Sequence, residues 1–228
     1  MQAANSSTNY TAPAGAPVGL KIDFVSDVSC PWCAIGLLSL EQALRRLDGR
    51  VAADVHFQPF ELNPDMPAGG QDAETYLQRK YGADRQHVAR SREALLQRGA
   101  ELGFTFGPRE RIYNTFDAHR LLHWAGIEGR QAQLKLRLLR AYFTDSEDIG
   151  SRDVLVRLAA EVGLPESRAR EVLESGEFGD AVRAQEYFYQ SHGINAVPAV
   201  IVNDRHLISG GQPVEVFESA LKRIAGIE

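Results

Sequence analysis

The sequence has few cysteines, little excess charge and no long apolar run, and each shortage excludes a class of protein. Two cysteines in 228 residues are too few for the disulfide scaffold of a small secreted domain. No stretch approaches the roughly 18 consecutive apolar residues of a membrane span. A formal net charge of −5 without a dense basic run argues against nucleic-acid binding. We therefore expect a globular protein with neither nucleic-acid nor membrane partners.

Residues 1–19 are rich in Ala, Ser, Asn, Thr, Gly and Pro, and we predict a disordered tail there. This segment has neither the basic start nor the apolar centre of a secretory signal. The protein is therefore expected to be cytoplasmic, as a monomer or a homodimer.

After the tail, the pattern predicts strand, helix and strand. Leu20–Ser26 is β-favouring and is followed by turn residues. Pro31 suits the first position of a helix, whose apolar spacing continues to the stop at Asp48-Gly49. Val51–Pro59 reads as a second strand, and the long connection makes the two strands parallel.

The middle of the chain, residues 63–175, has helical periodicity and no convincing strand. We interpret it as a helical domain inserted into an α/β domain formed by residues 20–62 and 176–228. Its helices are predicted over Ala73–Tyr81, Asp84–Leu102, Asp117–Ala125, Arg130–Thr144, Arg152–Val162 and Glu166–Leu173. The last part is predicted as helix Glu177–Ser191, strand Ala199–Val202, turn Asn203-Asp204, strand Arg205–Ile208 and helix Pro213–Ala225.

The tetrapeptide Cys30-Pro31-Trp32-Cys33 places two thiols on the first turn of the predicted helix. With Pro31 at the first helical position, Cys30 becomes the N-cap. Unpaired N–H groups and the helix dipole there favour its thiolate. Cys33 lies inside the first turn and is better shielded. This asymmetry predicts a thiol–disulfide oxidoreductase in which Cys30 attacks and Cys33 resolves the mixed disulfide.

Two structural roles for the cysteines are disfavoured. A zinc site needs about four ligands, and the histidines are scattered except for His119 and His123, four residues apart. We expect no metal. A purely structural disulfide would close so small a loop that it would stabilise the chain little.

A proline near the start of a late strand is the second notable feature. Pro198, in Ala196-Val197-Pro198-Ala199, precedes the predicted strand, where its missing N–H is tolerated. As evidence, this proline is weak by itself, but it is strong in combination with a Cys-x-x-Cys pair at a strand–helix junction.

These features together resemble the thioredoxin fold, and the large all-helical insertion is similar to that of the DsbA-like superfamily. Other stretches resemble its cytoplasmic FrnE-like branch, and they are Ser26–Cys33, Pro59–Pro67, Asn114–Leu121 and Ser209–Pro213. The resemblance covers the chain from about residue 20 to near its C-terminus.

The resemblance implies a cis-proline at Pro198 beside the disulfide. It also implies that the Val197 backbone pairs with an extended substrate or glutathione by strand addition. No cofactor would be required, and glutathione is the expected redox partner. We predict that Pro31 and Trp32 contact substrate; Trp32, expected to face solvent, is equally plausible as a residue that only tunes the redox potential.

Several supporting residues are left open by the sequence. A buried acid often accepts the proton of the resolving cysteine in such proteins; Asp23 is the candidate within the strand, and Asp27 in the next loop is equally a turn former. Asn114, Asp117 and His119 are expected where the insertion covers the site. The alternatives are that Asn114 or Thr115 caps a helix and that His119 is a packed, hydrogen-bonded residue.

Other conspicuous side chains are given plainer roles. A solvated helix face is expected for the arginine-rich run of Arg85, Arg90, Arg92 and Arg98. The aromatic side chains of Tyr187, Phe188 and Phe217 are expected in the core.

Two other functions compete with redox chemistry. A glutathione-dependent isomerase or transferase has similar architecture, as in 2-hydroxychromene-2-carboxylate isomerase and the kappa-class glutathione transferases, but such relatives typically carry Ser in place of Cys30 and need no resolving thiol. A chaperone-like peptide-binding module would use the surface of the helical insertion.

Overall fold

The computed structural model describes residues 16–82 and 85–228. The predicted disordered tail lies outside the described residues as far as residue 15. The first strand begins at Val18, earlier than the predicted start at Leu20. Within the described ranges, no helix is long and apolar enough to cross a membrane.

The order of elements confirms the predicted β-α-β and α-β-β-α pieces with helices between them. The strands are β1 (Val18–Ser26), β2 (Val51–Pro59), β3 (Gln71–Asp72), β4 (Arg111–Ile112), β5 (Ala199–Val202) and β6 (His206–Ser209). The helices are α1 (Pro31–Arg46), α2 (Ala73–Tyr81), α3 (Arg85–Glu101), α4 (Phe116–Ile127), α5 (Gln131–Phe143), α6 (Arg152–Glu161), α7 (Glu166–Ser175), α8 (Gly179–Ser191) and α9 (Val214–Ala225).

The main sheet has four strands in the order β2-β1-β5-β6. As predicted, β1 and β2 are parallel. Strand β5 is antiparallel to β1 and forms a hairpin with β6. Asn203 and Asp204 connect the hairpin at φ values of 53° and 56°, a left-handed conformation that Asn and Asp tolerate better than most residues. The carboxyl ends of β1 and β2 lie together, so the loops that follow them meet at one edge.

The prediction of no strand in the middle of the chain is wrong in one detail. Strands β3 and β4 pair antiparallel over two residues each, with Gln71 opposite Ile112 and Asp72 opposite Arg111. A two-residue strand leaves no alternation for a sequence pattern to detect. This small sheet ties the start of α2 to the segment before α4.

One cluster of buried apolar side chains contains residues of both the predicted α/β domain, called the frame below, and the predicted helical insertion. Phe24 and Leu37 of the frame belong to the same cluster as Leu121 and Leu138 of the insertion, and all four are 0–1% exposed. Helices α4 and α5 therefore pack directly against strand β2 of the main sheet. The division into residues 20–62, 63–175 and 176–228 stays a prediction.

Helix α8 corrects the expectation that its aromatic residues are core. Tyr187 is 74% exposed and Phe188 is 52% exposed, whereas Phe217 of α9 is fully buried as expected. The buried positions of α8 are Val182, Glu186 and Tyr189. The aromatic residues were assigned to the core by their type, but the helix buries a face that includes a glutamate.

Candidate active site

The two cysteines begin helix α1, directly after the loop that follows β1. Cys30 is the N-cap with extended backbone (φ −93°, ψ 114°), and Pro31 occupies the first helical position. The Cys33 N–H donates to the Cys30 carbonyl at 3.1 Å. Both side chains are free thiols; Cys30 is 5% exposed and Cys33 is 0% exposed. Cys30 is therefore the thiol nearer to solvent.

The two thiols differ in acidity in opposite directions. A hydrogen bond from Cys33 lowers the pKa of Cys30, helped by the N–H groups of Cys33 and Trp32 and opposed by burial. Burial raises the pKa of Cys33 well above its ordinary value, and the Cys30 thiolate raises it further. The thiolate form is thus favoured at Cys30 and disfavoured at Cys33.

The loop before β5 faces the Cys30 thiol. The Val197–Pro198 peptide bond is cis, as the resemblance implies. Cys30 Sγ lies 3.7 Å from the Val197 carbonyl oxygen. A Cβ added at Gly36 of α1 would lie 2.9 Å from Pro198 Cγ, so the glycine allows the helix and the proline ring to approach this closely. Gly36 is a site residue that the sequence analysis missed.

The sequence predicts that Trp32 faces solvent, but in the structure its side chain does not project freely into solvent. It is half-buried, and the Arg98 guanidinium lies 5.9 Å from its ring centroid. Arg98 also donates to the carbonyl of Gly211 at 2.6 Å and to that of Gln212 at 2.9 Å. The prediction of a solvated Arg98 is therefore wrong, because its partners come from a segment more than a hundred residues away. Arg98 instead braces the loop beside Trp32; the side chain of Arg85 lies outside the described residues.

Of the two candidate acids, Asp27 is the one beneath the cysteines. It is 0% exposed, and its carboxylate accepts from the Ser29 N–H at 3.1 Å, the Ser29 hydroxyl at 2.8 Å and the Leu62 N–H at 2.8 Å. Its backbone N–H stabilises the Cys33 thiolate. Asp23 is also buried, but it pairs with Lys21 at 3.1 Å and accepts from Gln58 at 2.6 Å. The turn role of Asp27 is real, and the residue is also a buried acid.

His119 approaches this acid from helix α4. It is 3% exposed, and its Nε2 lies 3.5 Å from Asp27 Oδ1 without making a hydrogen bond. Burial alone would raise the pKa of Asp27, but the attraction of His119 and the N–H groups of Leu62 and Ser29 take it below its ordinary value. His119 is therefore packed, as the alternative predicts, but its Nε2 makes no hydrogen bond among the described residues.

Asn114 has the structural role that the sequence analysis left open. Its Oδ1 accepts from the Phe116 N–H at 2.9 Å at the start of α4. Its Nδ2 donates to the Met66 carbonyl at 3.1 Å, which fastens the loop after β2 to the helix. Asn114 thus helps to position the helix that carries His119.

Lys135 of helix α5 is the second residue that sequence reasoning missed. It is 1% exposed and lines a small cavity with His119, His123 and Gln185. Burial lowers the pKa of Lys135, and the negative charge of Cys33 opposes this effect. A helical wheel places it in the buried stripe of α5, with Leu138, Leu139 and Tyr142 three, four and seven residues on. A lysine within an apolar stripe was the available signal.

The described residues contain no group of three or more His, Cys, Asp or Glu side chains that could hold a metal ion.

Comparison with known proteins places this chain in a family. The profile of the DSBA-like thioredoxin domain matches residues 21–222. The protein YwbO of Bacillus subtilis is 29% identical over 202 residues, which cover 88% of this chain and 94% of YwbO. A probable DsbA oxidoreductase from Streptomyces coelicolor is 32% identical with a TM-score of 0.85, covering 92% of this chain and 91% of that one. The cytosolic disulfide reductase DsbM from Pseudomonas aeruginosa, solved with GSH, is 20% identical with a TM-score of 0.62, covering 91% and 100%. This chain therefore belongs to the DsbA-like thioredoxin family.

Proposed function

We propose that this DsbA-family disulfide oxidoreductase cycles Cys30 and Cys33 between dithiol and disulfide, with Cys30 attacking and Cys33 resolving. The observation that carries the proposal is the asymmetry of the two thiols. Cys30 is the N-cap, nearer to solvent, with a lowered pKa, whereas Cys33 is fully buried with a raised one. A transferase would need only the first of these thiols.

The chemistry follows in two steps. The Cys30 thiolate attacks one sulfur of a substrate disulfide, a mixed disulfide forms, and the first substrate thiolate leaves. Cys33 then loses its proton and attacks Cys30 Sγ, so the Cys30–Cys33 disulfide forms and the second substrate thiolate leaves. The substrate is reduced by two electrons and the enzyme is oxidised by two; the reverse sequence oxidises a dithiol.

Substrate binding is proposed at the Val197–Pro198 loop and at Pro31 and Trp32. In the described part of the chain, the Val197 N–H has no hydrogen-bond partner, which leaves it available to an extended peptide or glutathione backbone. The Val197 carbonyl already faces Cys30 Sγ at 3.7 Å. A strand added here would bring its own sulfur against Cys30.

Protein disulfides and glutathione disulfide are the proposed substrates, in the cytoplasm and without a further cofactor. The similarity in fold to DsbM, a cytosolic reductase solved with GSH, supports glutathione as the redox partner.

The test is the Cys33→Ser variant, with Cys30→Ser as its matched control. We expect Cys33→Ser to accumulate a mixed disulfide with glutathione, detected by mass spectrometry, and to lose turnover of insulin and glutathione disulfide. Cys30→Ser should lose turnover without accumulating the adduct, because the attacking thiol is gone.

Retained disulfide turnover in Cys33→Ser would contradict the two-thiol mechanism. Turnover of a small molecule with glutathione in that variant would favour the isomerase or transferase alternative. Unchanged peptide binding in both variants, without any disulfide turnover in the wild type, would favour the chaperone-like alternative.

A further inference from the structure

Three buried polar atoms near the site have no hydrogen-bond partner among the described residues. They are Glu61 Oε1, His119 Nε2 and Glu186 Oε1. Their residues are only 3–5% exposed. Buried polar atoms are nearly always paired, so three unpaired ones in the same molecule call for a chemical reason.

The three residues belong to one set of charged side chains. Arg183 Nη1 donates to Glu61 Oε2, and it donates to Glu186 Oε2 at 2.8 Å, so both carboxylates converge on one nitrogen. His119 in turn acts electrostatically on Glu61 and lies 3.5 Å from Asp27. The set runs from the fully buried Asp27 to Arg183, whose side chain is 47% exposed.

The set also joins three of the stretches that mark the family resemblance. Asp27 comes from Ser26–Cys33, Glu61 from Pro59–Pro67 and His119 from Asn114–Leu121. The Leu62 N–H bonds to Asp27 at 2.8 Å, which fixes the second stretch against the first. Segments far apart in sequence therefore supply a line of titratable groups.

The resolving step creates the need for such a line. Cys33 must lose its proton before it attacks, and both Cys33 and Asp27 are 0% exposed. A proton that reaches Asp27 therefore has no direct contact with solvent through which to leave.

We propose that His119 and the Glu61–Glu186 pair take up the proton that Cys33 releases, with Asp27 as the link between them. This inference rests on the proposed two-thiol function. His119 acts through Asp27 rather than on the sulfurs, so it is a positioning residue for the resolving step.

Each transfer conserves charge and protons. The Cys33 thiol gives its proton to the Asp27 carboxylate and becomes the attacking thiolate. Asp27 passes the proton to His119 Nε2, and the resulting imidazolium passes it to one unpaired carboxylate oxygen, which the Glu61–Glu186 pair then shares. The proton leaves to solvent beside Arg183.

The surrounding charges favour movement of the proton from Asp27 toward Glu61. Two carboxylates on one guanidinium repel each other, and burial together with Glu186 raises the pKa of Glu61. Lys135 on α5 and Lys80 on α2 act electrostatically on Asp27 and oppose its protonation. A proton is therefore held weakly at Asp27 and more strongly at Glu61.

The experiment separates the two sulfur steps with Ellman's reagent, an aromatic disulfide. Attack by Cys30 releases a first nitrothiobenzoate, and attack by Cys33 on the mixed disulfide releases a second, both followed by absorbance in a stopped-flow instrument. The rate of each phase is measured from about pH 6 to about pH 8 in the wild type and the variants.

We expect His119→Gln to slow the second phase about tenfold to hundredfold near pH 6.5, because an internal base is lost. Its rate should then rise about tenfold for each pH unit, since only bulk hydroxide deprotonates Cys33, while the wild-type rate changes much less. Glu61→Gln should show the same change to a smaller degree. The rate of the first phase should stay within about twofold of the wild-type rate in both variants.

His123→Gln is the matched control. His123 lies one turn further along α4, lines the same cavity and has its Nδ1 3.4 Å from Gln185, outside the proposed set. Its second phase should keep the wild-type pH profile. A general effect of altering a histidine on this helix would appear in this variant as well.

The outcomes are distinguishable. Wild-type pH profiles of the second phase in both His119→Gln and Glu61→Gln would overturn the proton route while leaving the two-thiol function standing. Release of only one nitrothiobenzoate by the wild type would overturn the two-thiol function itself. If His119→Gln does not fold, the pH profiles of the second phase in Glu61→Gln and Glu186→Gln test the proton route instead.

Discussion

Two clusters of opposite charges in this chain have similar composition and different surroundings. The outer cluster joins α5 to α6: Arg137 pairs with Glu161 at 2.6 Å, Asp145 at 3.1 Å and Glu147 at 3.3 Å. Arg157 adds further pairs to two of these carboxylates. The side chains of this outer cluster are 23–46% exposed, so water solvates them in both the folded and the unfolded chain.

The inner cluster lies beneath the cysteines. Asp27, Glu61, His119 and Glu186 are 0–5% exposed, and only Arg183 reaches solvent substantially. Three of its polar atoms have no hydrogen-bond partner in the part of the chain that the structure describes. Removing such groups from water costs free energy that their mutual attraction only partly returns.

The comparison teaches that these charges have different roles. The outer pairs contribute modestly and are screened by salt, so they are interchangeable parts of a solvated surface. The inner charges oppose stability wherever they are unpaired, and a fold that keeps them does so for chemistry at the site.

The largest expected effect comes from deleting the carboxylate at the centre of the inner cluster. Asp27→Ala leaves the Leu62 and Ser29 donors without their acceptor inside the protein and removes the carboxylate that lies 3.5 Å from His119 Nε2. We expect a loss of about 3–5 kcal/mol in the free energy of unfolding, measured by urea denaturation at neutral pH.

Asp27→Asn is the control, since it keeps the shape and one acceptor oxygen, and its loss should be clearly smaller. Because the folded pKa of Asp27 is below its ordinary 3.8, its charge stabilises the fold above pH 3.8. That contribution disappears as the pH falls through the lower folded pKa. The difference between wild type and Asp27→Asn should therefore narrow in acid; a constant difference would show that the charge contributes nothing.

A smaller effect, with the opposite dependence on pH, is expected at Glu61. Its folded pKa is above the ordinary 4.5, so its contribution is complete below pH 4.5 and is lost as the pH rises through the folded pKa. Glu61→Gln should therefore gain stability relative to wild type as the pH rises above 4.5. Each pH unit between the folded and unfolded pKa contributes about 1.4 kcal/mol.

Urea denaturation of both proteins at several pH values measures this difference. The two acids would not have opposite roles if the stability difference between Glu61→Gln and wild type changed with pH in the same direction as the difference between Asp27→Asn and wild type.

Much of the frame could be predicted because local chemistry determines it. Alternation marks β2 from Val51 to Pro59, and the structure has the same bounds. Pro31 and the Asp48-Gly49 stop limit α1 to within a few residues. The position of Cys30 as the N-cap follows from Pro31 alone.

The parts that escaped prediction depend on partners distant in sequence. Periodicity shows that α5 has a buried stripe, but it does not show that the redox centre lies against Lys135. Arg98 looks solvated until its acceptors arrive from Gly211 and Gln212, 113 and 114 residues away. Likewise Glu61 belonged to a recognised stretch, but its role depends on Arg183 and Glu186 of α8.

The smallest effect is expected in the outer cluster. Arg137→Met keeps the apolar stem of the side chain and removes only its charge. We expect a loss of about 1 kcal/mol or less in the free energy of unfolding, because water still reaches this half-buried arginine and its carboxylate partners in the folded protein. Adding about 0.5 M salt should remove most of that difference, since the Debye length then falls to a few ångströms. The difference caused by Asp27→Ala should persist at the same salt concentration, because its partners are buried hydrogen-bond donors. If the two variants responded alike to salt, the inner and outer charges would be energetically equivalent, and the contrast between the clusters would fail.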